Sequence, residues 1–298
     1  MLTFYNEIDI ICKERIKYMS LVSMKAILQK AREENYAVLA TNLLNLEMLL
    51  GGIKAAELCE SPLILQLAPV QFTTSPLHIF GPILIQAARN ASVPVAVHLD
   101  HGFEMQHIID SIDLGFTSVM FDGSSLEYEE NIELTRQVVE YAKKYNVTVE
   151  AELGYVGTEG YIVDHSIKKY YMTQPDSAEN FIVETGCDAL AVAIGNAHGL
   201  YRDQPKLDFK LLAEIRNRTS IPLVLHGGSG TSEKDLQKCV ELGICKVNLA
   251  SDIQIAYMNS IIETKTDDFL VLSRAMIEST RNVVSRYMKI LNSVGKAR

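Results

Sequence analysis

His98-Leu99-Asp100-His101-Gly102 closes an apolar run from Val93 to Val97, and two further histidines, His198 and His226, close later runs of the same kind. Three imidazoles and a carboxylate carried to strand ends are the groups a catalytic zinc site with an adjacent acid/base requires. A single histidine at a strand end is more often structural, so the information lies in three equivalent placements. His78, His107 and His165 fall in helical or loop segments and read as solvated side chains. In a regular strand His98 and Asp100 point to one face and His101 to the other, unless the chain leaves the pleat, which Gly102 permits.

Two carboxylates end other runs: Asp122 in Phe121-Asp122-Gly123-Ser124 and Glu152 in Val149-Glu150-Ala151-Glu152-Leu153-Gly154. Glu150 and Glu152 share a strand face, and a buried carboxylate needs a cation or several N–H donors. They read as partners of the histidines. After His226 comes Gly227-Gly228-Ser229-Gly230, leading into a helix near Ser232, a turn whose amides suit a phosphate. Asn248-Leu249-Ala250-Ser251 closes the next run. Together these residues indicate a divalent-metal lyase or isomerase acting on a phosphorylated small molecule.

The elements that must deliver these residues alternate short apolar runs with amphipathic segments. Eight strands are predicted: Tyr36–Asn42, Pro62–Ala68, Val93–His98, Ser118–Phe121, Thr148–Leu153, Ala189–Ile194, Pro222–Leu225 and Lys246–Leu249. Near-continuous apolar strands imply a parallel sheet covered on both faces. Eight β-α units in roughly 250 residues match an α/β fold of the TIM (β/α)8 barrel type, with site residues on its C-terminal face. A doubly wound open sheet usually has fewer strands. Residues 1–22 read as an N-terminal extension and residues 23–298 as one barrel domain. Its tail beyond Thr264 forms extra C-terminal helices, which pack either on a neighbouring subunit or on their own barrel.

The chain has 298 residues, 48% of them hydrophobic, enough for a large core. Five cysteines without a C-x-x-C pair suggest no disulfide framework and fit a cytoplasmic protein. A net charge of −9 without a basic, aromatic-interleaved run argues against a nucleic-acid partner. No segment reads as a membrane span.

From about Val22 onward the chain resembles the class II, zinc-dependent ketose-bisphosphate aldolases. The resemblance runs through His98–His101, Val119–Ser124, Val149–Gly154, Ala191–Gly199, Leu225–Ser229 and Lys246–Asn248. It implies a TIM barrel, a homodimer or homotetramer, that reversibly cleaves fructose or tagatose 1,6-bisphosphate to dihydroxyacetone phosphate and glyceraldehyde 3-phosphate. It further implies that His101, His198 and His226 bind the catalytic Zn2+ and that Asp100 is the acid/base. Asp122 and Glu152 match a second, non-catalytic metal position. Gly199, Gly227, Gly228, Ser229 and Ser251 match the ketone-side phosphate site, with a Na+ or K+ nearby, and Asn42 and Asn248 match substrate-orienting side chains.

The chain also departs from the family pattern. Where members often carry paired acids in a mobile loop after Glu-Leu-Gly, only Glu159 remains, and it takes the carbon-proton transfer role by that resemblance. Ala250 stands where fructose-type members have an aspartate, as in tagatose-type members. Ala68 and Thr41 replace a small polar and an apolar residue respectively.

Three rivals remain in view. A Schiff-base aldolase needs a low-pKa lysine; the sole strand lysine, Lys246, is expected at the start of the eighth strand, away from the site. A metal-dependent hydrolase of this fold commonly starts from His-x-His on the first strand, which here ends in Thr41-Asn42. A non-catalytic sugar-phosphate-binding barrel or partner subunit would have no need of Asp100.

Overall fold

The computed structural model describes residues 20–156, 172–199 and 205–298. Eight parallel strands close into a barrel in sequence order: β1 Val38–Asn42, β2 Leu63–Leu67, β3 Val95–Gly102, β4 Ser118–Phe121, β5 Thr148–Leu153, β6 Ala189–Val192, β7 Leu223–Leu225 and β8 Ile244–Leu249. Closure is made by β1 against β8, with Val38 opposite Lys246 and Ala40 opposite Asn248. The expected TIM barrel is therefore present. Its strands read as apolar runs because nearly every residue in them is buried, against helices outside and the barrel interior within.

Among the described residues ten α-helices accompany the strands: α1 Met24–Glu34, α2 Leu46–Leu58, α3 Leu77–Asn90, α4 Met105–Leu114, α5 Tyr128–Lys143, α6 Pro175–Thr185, α7 Phe209–Arg218, α8 Glu233–Glu241, α9 Ser251–Glu263 and α10 Phe269–Ile290. Their boundaries carry local chemistry. Ser23 caps α1 by accepting from Ala26 N, Asn45 caps α2 through Met48 N, and α1 ends on Asn35 in the left-handed region.

The barrel interior is layered. Its N-terminal end is plugged by Met24, Ile27, Leu28 and Ala31 of α1, packed on Val38, Ala40, Ile64, Ala96, Ala189, Ala191, Val224 and Cys245. Above this apolar floor lie the buried polar residues Gln66, His98, Glu150 and Lys246. The segment before α1 is already tied to the barrel, since Val95 N donates to Ser20 O and Val22 N to Val95 O.

The C-terminal tail packs on its own barrel: α10 buries Met276, Thr280, Val284, Tyr287, Met288 and Ile290. Close approach to α2 requires Gly51, where a Cβ would stand 2.6 Å from Ile277 O and 2.8 Å from Thr280 Cβ.

Strand β3 departs from its expected end. It continues to Gly102, with an irregular register against β4 between Leu99 and Gly102, and His101 sits at φ +47°. The bulge cancels the alternation that would have turned His101 away from Asp100.

Candidate active site

At the C-terminal face three imidazole rings stand with centroids 4.7, 4.7 and 5.4 Å apart: His101 from the β3 bulge, His198 from the loop after β6 and His226 immediately after β7. The second nitrogen of each ring is held by an acceptor. Asp122 Oδ2 accepts from His101 Nδ1 at 2.7 Å, Val156 O from His198 Nδ1 at 3.2 Å, and Glu150 Oε1 from His226 Nε2 at 2.9 Å. These acceptors fix the tautomers and aim Nε2 of His101, Nε2 of His198 and Nδ1 of His226 at one point.

His101 Nε2 and His198 Nε2 are 3.1 Å apart, close to the separation of roughly 3.3 Å that two nitrogens on a tetrahedral zinc adopt. A cation between them would be held by both nitrogens. His226 Nδ1 lies 3.2 Å from Glu152 Oε2, yet both atoms are buried without a hydrogen-bond partner. The expected zinc ligands thus fit the ion by donor type, spacing and unmet demand. Burial disfavours charge on His226, but Glu150 and Glu152 outweigh it and raise its pKa to about 10. His198 goes the other way, down to about 3, through burial and the two neighbouring imidazoles. The described residues bury four carboxylates, Asp100, Asp122, Glu150 and Glu152, and one ammonium, Lys246, which contacts Glu150.

Asp122 also accepts from the Ser124 hydroxyl at 2.6 Å and the Ser124 amide at 3.1 Å. Burial opposes its ionisation, but His101 and Ser124 hold its carboxyl down at about 2. Glu152 is pushed up by burial and by Asp122, and accepts from Val156 N at 3.3 Å. His101, Asp122 and Glu152 form a second group whose donor atoms lie within 4.8 Å of one another. In the present arrangement Asp122 orients His101.

Asp100 is clamped by two amides: Asn42 Nδ2 donates to Oδ2 and Asn248 Nδ2 to Oδ1, each at 3.1 Å. Burial raises its pKa, but nearby His101, Lys246 and His226 win and bring it to about 2. It is an ionised base poised 3.9 Å from the His101 ring. Asn42 is itself aimed by Gln66, which donates to its Oδ1 at 3.2 Å, and by Gln71, which accepts from its Nδ2 at 3.3 Å.

A cavity of about 450 Å³ opens over these groups, lined among others by Gly199, Gly227, Ser229, Asn248 and Ser251. Helix α9 starts in its wall, and the N-cap Ala250 supplies no side-chain hydrogen bond to the helix. Gly228 corrects the expectation of a phosphate-binding amide. Its N–H donates to Asn248 O at 2.9 Å, and a Cβ there would stand 2.6 Å from Val247 Cγ1, so it seats the loop on β8. Glu159 lies outside the described residues.

Lys246 is also placed differently from expectation. It is the third residue of β8, fully buried inside the barrel beneath the site, and its ammonium contacts both oxygens of Glu150 at 2.8 and 3.0 Å. A lysine so held does not line the cavity and is no Schiff-base nucleophile.

Sequence reasoning missed Gln66, Gln71 and Asn196. Asn196 accepts from Ile194 N at 2.8 Å and donates to His226 O at 3.0 Å, joining the two loops that carry His198 and His226. Gln66 had a signal, a lone amide in Leu63-Ile64-Leu65-Gln66-Leu67; Gln71, in a turn, had none.

A closed (β/α)8 barrel with three converging imidazoles and carboxylates at its C-terminal face defines a barrel whose side chains could hold a metal ion beside an aspartate. The family model for class II fructose-bisphosphate aldolases matches residues 22–296, so the chain belongs to that family. A curated relative from Escherichia coli K12, the uncharacterised protein YdjI, is 38% identical over 90% of this chain and 96% of its own. The crystal structure of the YdjI aldolase superposes with a TM-score of 0.85 at 35% identity, covering 93% of this chain and 100% of that one. A candidate fructose-1,6-bisphosphate aldolase from Coccidioides immitis gives 0.84 at 31% identity, over 92% and 97% of the two chains. Fructose-bisphosphate aldolase from Campylobacter jejuni, at 22% identity and a TM-score of 0.74 over 93% and 96%, shows the shared fold.

Proposed function

We propose that this chain is a zinc-dependent aldolase that reversibly cleaves a ketose 1,6-bisphosphate of fructose or tagatose type to dihydroxyacetone phosphate and glyceraldehyde 3-phosphate. The observation that carries the reading is the position of Asp100, clamped by Asn42 and Asn248 beside the three converging histidines. Zinc held by His101, His198 and His226 supplies a Lewis acid for the substrate carbonyl.

The chain's own groups do the rest. Asp100 takes the proton from the hydroxyl whose deprotonation opens the carbon–carbon bond, and returns it in condensation. Asn42 and Asn248 hold both carboxylate oxygens so that this base is presented in one orientation. The start of α9 at Ser251, with Ser229, Gly199 and Gly227, forms the wall suited to the ketone-side phosphate, where helix-end amides favour an anion.

One observation favours a second reading. The wall made by the loops after β2 and β3 consists of Ala68, Pro69, Val70, Gln71 and Phe103, and no Lys or Arg lines the cavity among the described residues. Such a wall suits a ketose 1-phosphate whose aldehyde half carries no second phosphate.

The test is cleavage of fructose and tagatose 1,6-bisphosphates, read as dihydroxyacetone phosphate released, before chelation, after it, and after zinc return. Condensation of dihydroxyacetone phosphate with glyceraldehyde or glyceraldehyde 3-phosphate is run beside it. Zinc-restored turnover of either bisphosphate supports the first reading, and turnover confined to the unphosphorylated aldehyde supports the second. Absence of turnover with zinc bound overturns both.

A further inference from the structure

Lys246 has no task in the chemistry above, yet a fully buried ammonium is costly and is retained only with close partners. Its partner Glu150, also fully buried, receives the ammonium on both oxygens while Oε1 accepts from His226 Nε2. The remaining neighbour is His98, whose Nε2 stands 3.7 Å from Glu150 Oε2 and whose Nδ1 pairs with the Ser118 hydroxyl at 3.0 Å. Glu150 is thus held from below by Lys246 and presents one oxygen upward to His226.

We propose that Lys246 is a positioning residue for the metal: through Glu150 it holds His226 with Nε2–H directed into the barrel and the Nδ1 lone pair directed at His101 and His198. The inference rests on the metal-site reading. Without the ammonium, Glu150 is an uncompensated charge with no anchor beneath it, and His226 loses the acceptor that sets its tautomer. The competing account is that the ion pair merely fills the barrel.

The two accounts separate in the full-length chain with the variants K246M, E150M and K246M/E150M. Zinc affinity is measured by competition with a chromophoric chelator, and thermal melting is measured on the metal-free forms. Exchange of a buried ion pair for apolar side chains of similar bulk is often neutral or stabilising, so the double variant is expected to melt at or above the parent temperature. Its zinc affinity is expected to fall about 10- to 100-fold, as is that of K246M. A folded double variant that binds zinc as tightly as the parent overturns the proposal.

A second measurement needs no variant. In nitrogen-15 spectra of the zinc-loaded parent, His226 is expected to retain a proton on Nε2 and bind through Nδ1; ligation through Nε2 overturns the proposal even if every variant misfolds. A parent chain that fails to bind zinc overturns the metal-site reading itself, a result distinct from zinc binding that is indifferent to Lys246.

Discussion

At the scale of single residues, the site separates groups that hold from groups that react. On the proposed function Asp100 is the group that reacts, so Asp100→Asn is expected to lower kcat by about 10²- to 10⁴-fold with zinc content unchanged, checked by steady-state cleavage and metal analysis on one preparation. Asp122 holds, by accepting from His101 Nδ1 at 2.7 Å. Asp122→Asn is therefore expected to weaken zinc binding by roughly 10- to 100-fold, with activity recovered at excess zinc. Activity that stays lost at saturating zinc would assign Asp122 to the chemistry instead. His101 itself holds a left-handed backbone that a non-glycine side chain adopts at a cost of about 1–3 kcal/mol. That strain turns its imidazole into the group with His198 and His226.

The elements explain why these contacts are rigid. Helix α1 closes the barrel floor with Leu28 fully buried among interior residues of several strands. Leu28→Ala is expected to cost about 2–5 kcal/mol by urea unfolding while leaving the site's zinc affinity intact in the folded fraction. The turn after β7 is sensitive in another way. Gly228→Ala places a methyl 2.6 Å from Val247 Cγ1 and 2.8 Å from Asn248 O, and the backbone atom cannot rotate aside. The loop bearing Ser229 must shift, so KM for the phosphorylated substrate is expected to rise more than kcat falls. An unchanged KM would detach this loop from phosphate binding.

For the whole molecule, the buried polar layer beneath the site couples stability to pH. His98 is fully buried, and burial followed by the Lys246 charge brings its pKa down to about 3 from the ordinary 6.5. Its folded pKa is depressed, so below pH 6.5 the unfolded chain takes up a proton that the native chain refuses. The contribution is complete above pH 6.5 and is lost as pH falls towards 3, at up to about 1.4 kcal/mol per pH unit. His98→Gln is expected to flatten that part of the stability profile, measured by urea unfolding from pH 7.5 to 4.5. A profile parallel to the parent's would remove His98 as its source.

Much of this molecule was legible in the chain. Parallel strands covered on both faces must be apolar throughout, so all eight strands were visible as runs, and the three histidines at the ends of such runs are the ones the barrel brings together. The carboxylates Asp100, Asp122 and Glu152 were visible for the same reason, as polar residues closing buried strands. What remained hidden depends on contacts across the barrel. Periodicity reports a residue's neighbours along its own strand, whereas the His226 tautomer is set by Glu150, 76 positions away, and the Asp100 orientation by Asn248, 148 positions away. The His101 bulge reverses the local alternation, Gly228 spends its amide on a neighbouring strand, and Lys246 meets Glu150 only once the barrel closes. The sequence alone determined which elements form and which side chains are available for chemistry. The tertiary structure decided which nitrogen, which oxygen and which amide each one presents, because those choices are made by partners that only barrel closure brings together.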